Sequence, residues 1–360
     1  MKLSHVIEEL FEERGLDRTV LSTIVSEGML AAYKKKYPDL PINVNYNKKT
    51  DEIEVSSQKE VVNNVEDEDV QISLRKARAL GESAELGSLI DVPFDKPIGR
   101  IEILKAKQVI AQKIRSIEAT AVFEEFKSKE NTIVHGVVHK CEHNGITVKL
   151  QDTLAFLPKS LTIPGDKCVV GYTIRALLKE VLPEPRNENQ LILDRTSPDF
   201  LKKLFELEVP EVFEKLVELK KVVRAAGYKS KIIVVSHDKN IDPVGTLVGV
   251  GGARIKPILR ELGNEKIDII GLSRSLEDLV KDALKPAEIN RVDLIDNKNA
   301  EVWLDEDQRS IAIGKMGQNI ALASQLTGMN IHLVKSDSDG DLDSESRPSA
   351  RESYDESYGE

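Results

Sequence analysis

The chain has 360 residues, 40% of them hydrophobic, and a formal net charge of -10. This length accommodates several domains with apolar cores, and the acidic balance excludes a protein that coats nucleic acid by bulk charge attraction. Two cysteines, Cys141 and Cys168, are too few for a disulfide framework, the N-terminus lacks the apolar core of a signal peptide, and no apolar run reaches the roughly 18 residues that span a bilayer. We therefore expect a soluble cytoplasmic protein without a membrane segment.

Residues 1–128 predict an α/β domain that ends in a long helix. Apolar residues recur at helical spacing through residues 1–36, with Asp17 as a candidate N-cap and Pro38 beyond the helix end. The segment "INVNYNKKTDEIEVSS" alternates apolar and polar residues on both sides of a polar turn, which predicts a β-hairpin. The segment "GRIEILKAKQVIAQKIRSIEATAVFEEFKSKE" predicts one long amphipathic connecting helix that ends near Lys129.

Residues 129–200 predict a five-stranded β-barrel. Five short alternating runs are separated by Asn-Gly, Pro-Gly-Asp and Pro-Glu-Pro-Arg turns. Five such strands are typical of an OB-fold barrel, a shape that often binds single-stranded nucleic acid. Phe156 and Tyr172 are the candidates for base stacking in this barrel, with core packing as the alternative for Phe156.

Alternate positions of the run "HGVVHKCEH" carry imidazole and thiol side chains, which raises the question of a zinc site. Ligands two and four residues apart on a straight strand are roughly 7 to 14 Å apart, too far to meet at one ion. An exposed or nucleic-acid-facing strand surface is therefore the preferred interpretation, and no metal site is predicted. The residues concerned are His135, His139, Cys141 and His143.

Residues 201–272 and 273–335 repeat one order of elements. Each contains two strands, a short helix, a glycine step, a second helix and a third strand, and the glycine steps lie in "GTLVGVGGARIKPILREL" and "RSIAIGKMGQNIALASQL". An internal duplication is the simplest explanation. Residues 217–272 hold 10 basic and 6 acidic residues and form the only net-positive block of the sequence.

Both glycine steps have the pattern Gly-x-x-Gly between two helices, which is the pattern that a KH module uses. Glycines let a sugar-phosphate backbone lie against the loop, and free amides at the start of the second helix face the phosphates. We therefore predict two tandem type II KH domains. The residues expected to contact RNA are Gly249, Val250, Gly251, Gly252 and Arg254 in the first step and Gly314, Lys315, Met316, Gly317, Gln318 and Asn319 in the second.

Other uses of glycine-rich loops fit less well. A single Gly-x-x-Gly is more often a helix–helix turn, but two copies in matching contexts favour nucleic-acid binding. Gly249, Gly251 and Arg254 do not complete the dinucleotide-binding fingerprint, and no Gly-Lys-Ser or Gly-Lys-Thr supports a phosphate-binding P-loop. No local pattern indicates a nucleophile with its base, so we expect no catalytic residues, no cofactor and no enzymatic activity.

Residues 336–360 hold 9 acidic and 2 basic residues and almost no aliphatic side chains. Such a segment buries too little apolar surface to offset the entropy of ordering, which predicts a disordered acidic tail. The fold class expected for the whole chain is α+β and multidomain.

Several long segments resemble the NusA family of bacterial transcription elongation and termination factors. They are "LDRTSPDFLKKLFELEVPEV", "DPVGTLVGVGGARIKPILRELGNEKIDII" and "AIGKMGQNIALASQLTGMNI", with weaker support from "GLDRTVLSTIVSEGMLAAYKKKYP" and "AKQVIAQKI". The resemblance covers about residues 1–335. It follows the family's order, which is an N-terminal polymerase-binding domain, an OB barrel of the ribosomal protein S-one type and two KH modules.

The resemblance implies a function without covalent chemistry. NusA-like proteins bind core RNA polymerase near the RNA exit channel and hold nascent single-stranded RNA on a barrel-KH-KH surface. They prolong pausing, assist hairpin-dependent termination and join antitermination assemblies with other Nus factors. Tighter binding to paused complexes than to elongating ones would shift the populations of the two states. A monomer is expected.

The sequence departs from the family pattern at two kinds of position. The family commonly places an arginine in each KH loop, where this chain has Gly251 and Met316, and often a serine where Asp194 precedes Arg195. The missing arginines imply weaker RNA binding with a smaller salt dependence. Three alternatives remain open: an RNA-binding or RNA-decay adaptor that does not bind polymerase, a nucleotide-dependent enzyme, and a DNA-reading helix-turn-helix protein.

Overall fold

The computed structural model describes residues 17–47, 50, 52–80, 85–186, 189–273 and 275–335. The chain divides into two compact units, residues 1–128 with 182–190 and residues 129–181 with 191–360. The helix predicted before residue 17 and the predicted acidic tail lie outside the described residues. Within the described ranges no helix is long and apolar enough to span a membrane.

The first unit is an α/β domain, as predicted. Its helices are α1 (Arg18–Lys36), α2 (Leu74–Ala79) and α3 (Arg100–Lys127), and its strands are β1 (Ile42–Asn47), β2 (Glu52–Val62), β3 (Gln71–Ser73) and β4 (Leu89–Pro93). The antiparallel pair β1–β2 confirms the predicted hairpin, and β2 also pairs with β3 and β4. The single helix α3 confirms the predicted long helix.

Helix α1 begins and packs as its sequence requires. Asp17 is the N-cap, and its carboxylate accepts a hydrogen bond from the amide of Thr19 at 2.6 Å. Leu21 and Ile24 of α1 are buried against Ile114 of α3. The apolar stripe that predicted the helix therefore forms the contact between α1 and α3.

The five predicted strands of the barrel are present and closed into one sheet. They are β5 (Ile133–Glu142), β6 (Gly145–Leu150), β7 (Thr153–Pro158), β8 (Thr173–Arg186) and β9 (Asn189–Asp194). Their order around the barrel is β5-β6-β7-β9-β8. Residues 182–190, at the far end of the β8–β9 hairpin, group with the first unit, where Gln190 Nε2 donates to the carbonyl of Ala119 at 2.6 Å.

The two cysteines of the barrel are paired with each other. Cys141 of β5 and Cys168 in the segment before β8 form a disulfide, with their Cα atoms 6.0 Å apart. Both residues are exposed. A single bridge is not a disulfide framework, but it differs from the free thiols that a reducing compartment favours.

The remainder of the second unit consists of two modules with the same order of elements. The first module contains α4 (Pro198–Glu208), α5 (Pro210–Phe213), β10 (Val217–Ala225), β11 (Lys229–Ser236), α6 (Pro243–Val248), α7 (Ile255–Leu262) and β12 (Lys266–Gly271). The second module contains α8 (Leu276–Leu284), β13 (Arg291–Leu294), β14 (Asn299–Leu304), α9 (Glu306–Ile313), α10 (Gln318–Thr327) and β15 (Asn330–Lys335).

Each module has a three-stranded sheet with one antiparallel and one parallel pair. In the first module β11 lies between antiparallel β10 and parallel β12, and in the second β14 lies between β13 and β15 in the same way. A leading helix, two strands, two helices and a third strand are the order of a type II KH module. This architecture confirms both predicted modules and the α+β fold class.

A buried ionic network joins the barrel to the first module. Arg195 is 3% exposed, and its guanidinium donates to Asp166 at 2.8 and 3.1 Å and to Glu261 at 2.5 Å, as well as to the carbonyl of Arg175. Burial acts to lower the pKa of Arg195, but the bonds to Asp166 and Glu261 outweigh burial and raise it. Arg195 therefore stays charged and ties α7 to the barrel.

Asp194, the departure noted in the sequence, is buried beside this network and has partners of its own. Its Oδ1 accepts hydrogen bonds from the amides of Thr196 and Ser197 at 2.7 and 3.1 Å and from the hydroxyl of Thr196 at 2.9 Å. Lys179 lies 3.5 Å from Oδ2. The carboxylate thus forms a local turn with the backbone, and a neighbouring ammonium balances its charge.

Candidate nucleic-acid interface

The first glycine loop connects α6 to α7. The carboxylate of Asp242 caps α6 by accepting hydrogen bonds from the amides of Val244 and Gly245 at 3.1 and 3.0 Å. The helix ends at Gly249, where φ is 74°. A Cβ at Gly249 would lie 3.0 Å from Cγ of Arg254 and 3.1 Å from its amide nitrogen, so this position needs glycine for both conformation and space.

The second glycine loop connects α9 to α10 with the same local geometry. Helix α9 ends at Gly314, where φ is 71°. A Cβ at Gly314 would lie 2.7 Å from Cβ of Asn319. The start of α10 thus packs directly against the first glycine of its own loop.

The backbone angles of the two loops agree at the first, third and fourth positions of the step. At the third position, φ and ψ are 59° and 20° at Gly251 and 54° and 27° at Met316. At the fourth position, φ is 77° at Gly252 and 73° at Gly317. Met316 therefore adopts a left-handed conformation that is uncommon outside glycine, which shows that the loop geometry overrides the preference of the residue.

The surface in front of the loops is open. Apart from the chain neighbours of each glycine, no atom of the described residues lies within 4 Å of a Cβ built on Gly251 or Gly317. Within the described ranges neither α7 nor α10 has a side-chain N-cap, so no capping side chain from these ranges occupies their first main-chain amides. Open helix N-termini with adjacent glycines suit an approaching anion such as a phosphate.

The variable residues of the two loops project into solvent. Val250 is 96% exposed and Met316 is 87% exposed, and Lys315 is exposed as well. The tips thus present one ammonium and two apolar side chains. The first loop also has the exposed side chain of Lys256 beside it, with Cε 3.4 Å from a Cβ built on Gly252.

Two predicted contact residues are engaged inside the protein. Arg254 donates to the carbonyl of Thr246 and to the carboxylate of Glu211, both at 2.9 Å, and so ties α6 to α5. Asn319 is 3% exposed. Gln318 is partly buried, and its buried Oε1 has no hydrogen-bond partner among the residues that the structure describes. The structure therefore gives Arg254 and Asn319 internal partners at the base of the loops.

The barrel presents one of its two candidate stacking residues. Tyr172, immediately before β8, is 64% exposed, as are the nearby Val169 and Val170 at 54% and 64%, whereas Phe156 is partly buried. The histidines of β5 face solvent. Over the described part of the chain, no group of three or more His, Cys, Asp or Glu side chains is placed to hold a metal ion.

Sequence reasoning missed three groups of charged residues that are buried or partly buried. They are the Arg195 network, the fully buried pair of Arg224 and Glu265, and the cluster of Lys229 and Lys231 of β11 with Asp268 of β12. For the lysine cluster, the sequence offered one signal: two lysines at alternate positions directly before the apolar run "IIVV". Alternation places them on one face of the strand, but it does not show that another element covers that face.

The barrel followed by two glycine-loop modules has the architecture of an RNA-binding protein. Family models match along most of the chain: the NusA N-terminal domain at residues 2–120, the NusA-like first KH domain at 195–272 and the NusA-like second KH domain at 276–340. The chain belongs to the NusA family of transcription termination/antitermination proteins.

Relatives from distant bacteria match over nearly the whole length. The transcription termination/antitermination protein NusA of Bacillus subtilis is 35% identical over 335 residues, covering 92% of this chain and 89% of that protein. The protein of the same name from Thermus thermophilus is 33% identical and covers 96% and 92%. The solution structure of the N-terminal domain of the Bacillus subtilis protein is 26% identical, covers 31% of this chain and 92% of that domain, and gives a TM-score of 0.25.

Proposed function

We propose that this protein is a transcription factor that binds core RNA polymerase through residues 1–128 and nascent single-stranded RNA through residues 129–335. It promotes pausing and hairpin-dependent termination, and it joins antitermination complexes with other Nus factors. It acts in the cytoplasm as a monomer and without a cofactor. The mechanism is a shift of population, because the factor binds paused complexes more tightly than elongating ones.

The observation that carries the proposal is the pair of matched glycine loops. Both have the same backbone angles, both are open in front, and both precede a helix without a side-chain cap. A phosphate at each loop would meet main-chain amides and the positive end of a helix dipole. The proposed RNA-contacting residues are those of the two steps. Among them, Arg254 and Asn319 hold their loops in place through hydrogen bonds inside the protein.

The polymerase-binding surface has a candidate on helix α3. Ile101 and Leu104 are 66% and 65% exposed, three residues apart on one face of the helix. Exposed apolar side chains in adjacent positions mark contact surfaces. The double substitution Ile101→Asp and Leu104→Asp in the full chain should weaken binding to core RNA polymerase at least about tenfold, as measured by biolayer interferometry.

The matched control is Ala121→Asp, which adds a carboxylate at another exposed position of the same helix. RNA binding should be the same in both variants and in the native chain. If the native chain binds RNA but not core polymerase, the general RNA-binding adaptor replaces the proposed function. If the double variant binds polymerase as tightly as Ala121→Asp, this face of α3 is not the contact surface.

Met316→Arg should strengthen RNA binding and make it more sensitive to salt. Met316 already has a positive φ and is 87% exposed, so an arginine can take its place without added backbone strain. One new phosphate contact on a single strand steepens the slope of log K against log salt by about 0.7. Fluorescence anisotropy with a labelled RNA at several salt concentrations measures this slope.

The neutral variant Met316→Gln separates charge from side-chain length in that experiment. Its slope should equal that of the native chain. Equal slopes for Met316→Arg and Met316→Gln would place the loop tip away from the RNA backbone.

A further inference from the structure

The second module holds its glycine loop through one buried carboxamide. The Asn319 side chain donates from Nδ2 to the carbonyls of Leu284 and Ala312, both at 3.1 Å. Its Oδ1 accepts a hydrogen bond from Nζ of Lys229 at 3.1 Å. Asn319 thus connects the ends of α8 and α9 to a strand of the first module.

Lys229 belongs to a compact ionic cluster on the sheet of the first module. The ammonium groups of Lys229 and Lys231 each lie 2.7 Å from the same carboxylate oxygen of Asp268. Lys231 is fully buried, and its Nζ also donates to the carbonyl of Lys285 in the second module at 3.4 Å. Burial lowers the pKa of Lys231, and the bond to Asp268 opposes that shift.

Apolar residues of both modules surround these polar contacts. Val223 and Ile233 of the first module share one buried core with Leu322 and Ala323 of the second. Apolar burial holds surfaces together but is non-directional, so it tolerates small rotations and slides. Hydrogen bonds are directional, and a satisfied buried network selects one arrangement.

A displacement of Asn319 would also displace the second glycine loop, because the two are in direct contact. A Cβ on Gly314, the first glycine of the second loop, would touch Cβ of Asn319 at 2.7 Å. Asn319 is also the second residue of α10, whose N-terminus faces the loop. Asn319 therefore contacts the first module through its carboxamide and the second glycine loop through its Cβ.

We propose that Asn319 and Lys229 are positioning residues that hold the two glycine loops at one fixed separation, so that a single RNA strand engages both loops as one rigid site. This inference rests on the proposed RNA binding for its consequence, but the fixed separation is a property of the free protein. A rigid pair of sites gains affinity because the second contact is intramolecular at a high effective concentration. Loosening the pair lowers that concentration while both loops stay intact.

The separation is measured in the full chain without RNA. Nitroxide labels are placed on cysteines by Val250→Cys and Met316→Cys, two positions that are 96% and 87% exposed, in a background of Cys141→Ser and Cys168→Ser. Double electron–electron resonance then gives the distribution of distances between the loop tips. We expect one narrow distribution in the labelled parent chain.

Lys229→Met removes the ammonium but keeps an unbranched apolar side chain, and it leaves Lys231 paired with Asp268. We expect the chain to stay folded and the distance distribution to become at least about twice as wide. Asn319→Ala should have the same effect. The matched control is Lys221→Met, which removes one positive charge from an exposed position on β10, and its distribution should stay narrow.

RNA binding supplies the second readout, with a fluorescein-labelled 20-nucleotide oligoadenylate as the probe. Lys229→Met should bind it about tenfold more weakly than Lys221→Met, although both variants lose one charge. Equal widths for Lys229→Met and Lys221→Met overturn the proposal. If Lys229→Met has the wider distribution but binds the probe as tightly as Lys221→Met, the fixed separation does not contribute to RNA affinity. If the parent chain does not bind the probe, the proposed function loses its support. The distance measurement still decides whether Lys229 and Asn319 keep the two loops at a fixed separation.

Discussion

Gly317→Asp is expected to weaken RNA binding at least about tenfold more than Gly317→Asn does. Asparagine and aspartate have nearly the same shape, and both tolerate the left-handed conformation that this position requires, with φ at 73°. Beyond the two chain neighbours, no atom in the described part of the chain lies within 4 Å of the added Cβ, so either side chain fits there. The difference between the variants is therefore one negative charge placed where a phosphate is proposed to lie.

The same pair of substitutions at Gly252 repeats the test in the first loop. There φ is 77°, and the nearest atoms to an added Cβ belong to the flexible side chain of Lys256, at 3.4 Å. Anisotropy titrations with the oligoadenylate probe measure affinity, and circular dichroism confirms the fold. Equal affinities for the Asp and Asn variants at both loops would show that phosphates do not approach them.

These variants also connect RNA contact to transcription. In transcription through a hairpin-dependent pause, Gly252→Asp and Gly317→Asp should shorten the pause that the native chain prolongs, while binding to core polymerase stays unchanged. The Asn variants serve as controls. Loss of pausing together with loss of polymerase binding would indicate a folding defect rather than lost RNA contact.

Arg195→Met is expected to lower the stability of the second unit by about 3 kcal/mol or more. Removing one partner of a buried ion pair leaves the other charges without compensation, which costs about 3 to 5 kcal/mol. Here Asp166, 16% exposed, loses its cation, and Glu261, 20% exposed, keeps only the more distant Arg175 at 3.9 Å. Phe200, 5.3 Å from the guanidinium, also loses a cation on its ring.

Urea unfolding measures this loss. Trp303 is the only tryptophan of the chain and lies in the second unit, so its fluorescence reports on that unit. The matched variant combines Arg195→Met with Asp166→Asn and Glu261→Gln, which neutralises all three partners. It should recover at least about half of the lost stability, because no unpaired charge remains. No recovery would mean that packing of the arginine, rather than its charge, stabilises the junction.

Local physical rules explain why much of the fold could be predicted from the sequence. The long helix α3, the β1–β2 hairpin and the five barrel strands follow from apolar spacing and turn residues that act within a few positions. The glycine steps could be located because positive φ at Gly249 and Gly314 requires glycine wherever the chain takes that turn. The repeat was visible because both copies use the same local devices.

Side-chain partners could not be predicted in this way. Arg254 and Asn319 follow their loops at helical positions that the sequence cannot mark as exposed or buried. The disulfide between Cys141 and Cys168 likewise depends on how β5 and the segment before β8 meet in the closed barrel.

The sequence by itself determined the order of elements, the two matched loops and the family, because each depends on patterns within a short stretch of chain. Only the tertiary structure decided which charged and amide groups hold those loops in place. Lys229 and Asn319 are 90 residues apart in the chain, and Arg195 and Glu261 are 66 apart. Such pairs form only when separate modules pack, since burial makes a partner obligatory without indicating in the sequence which residue supplies it.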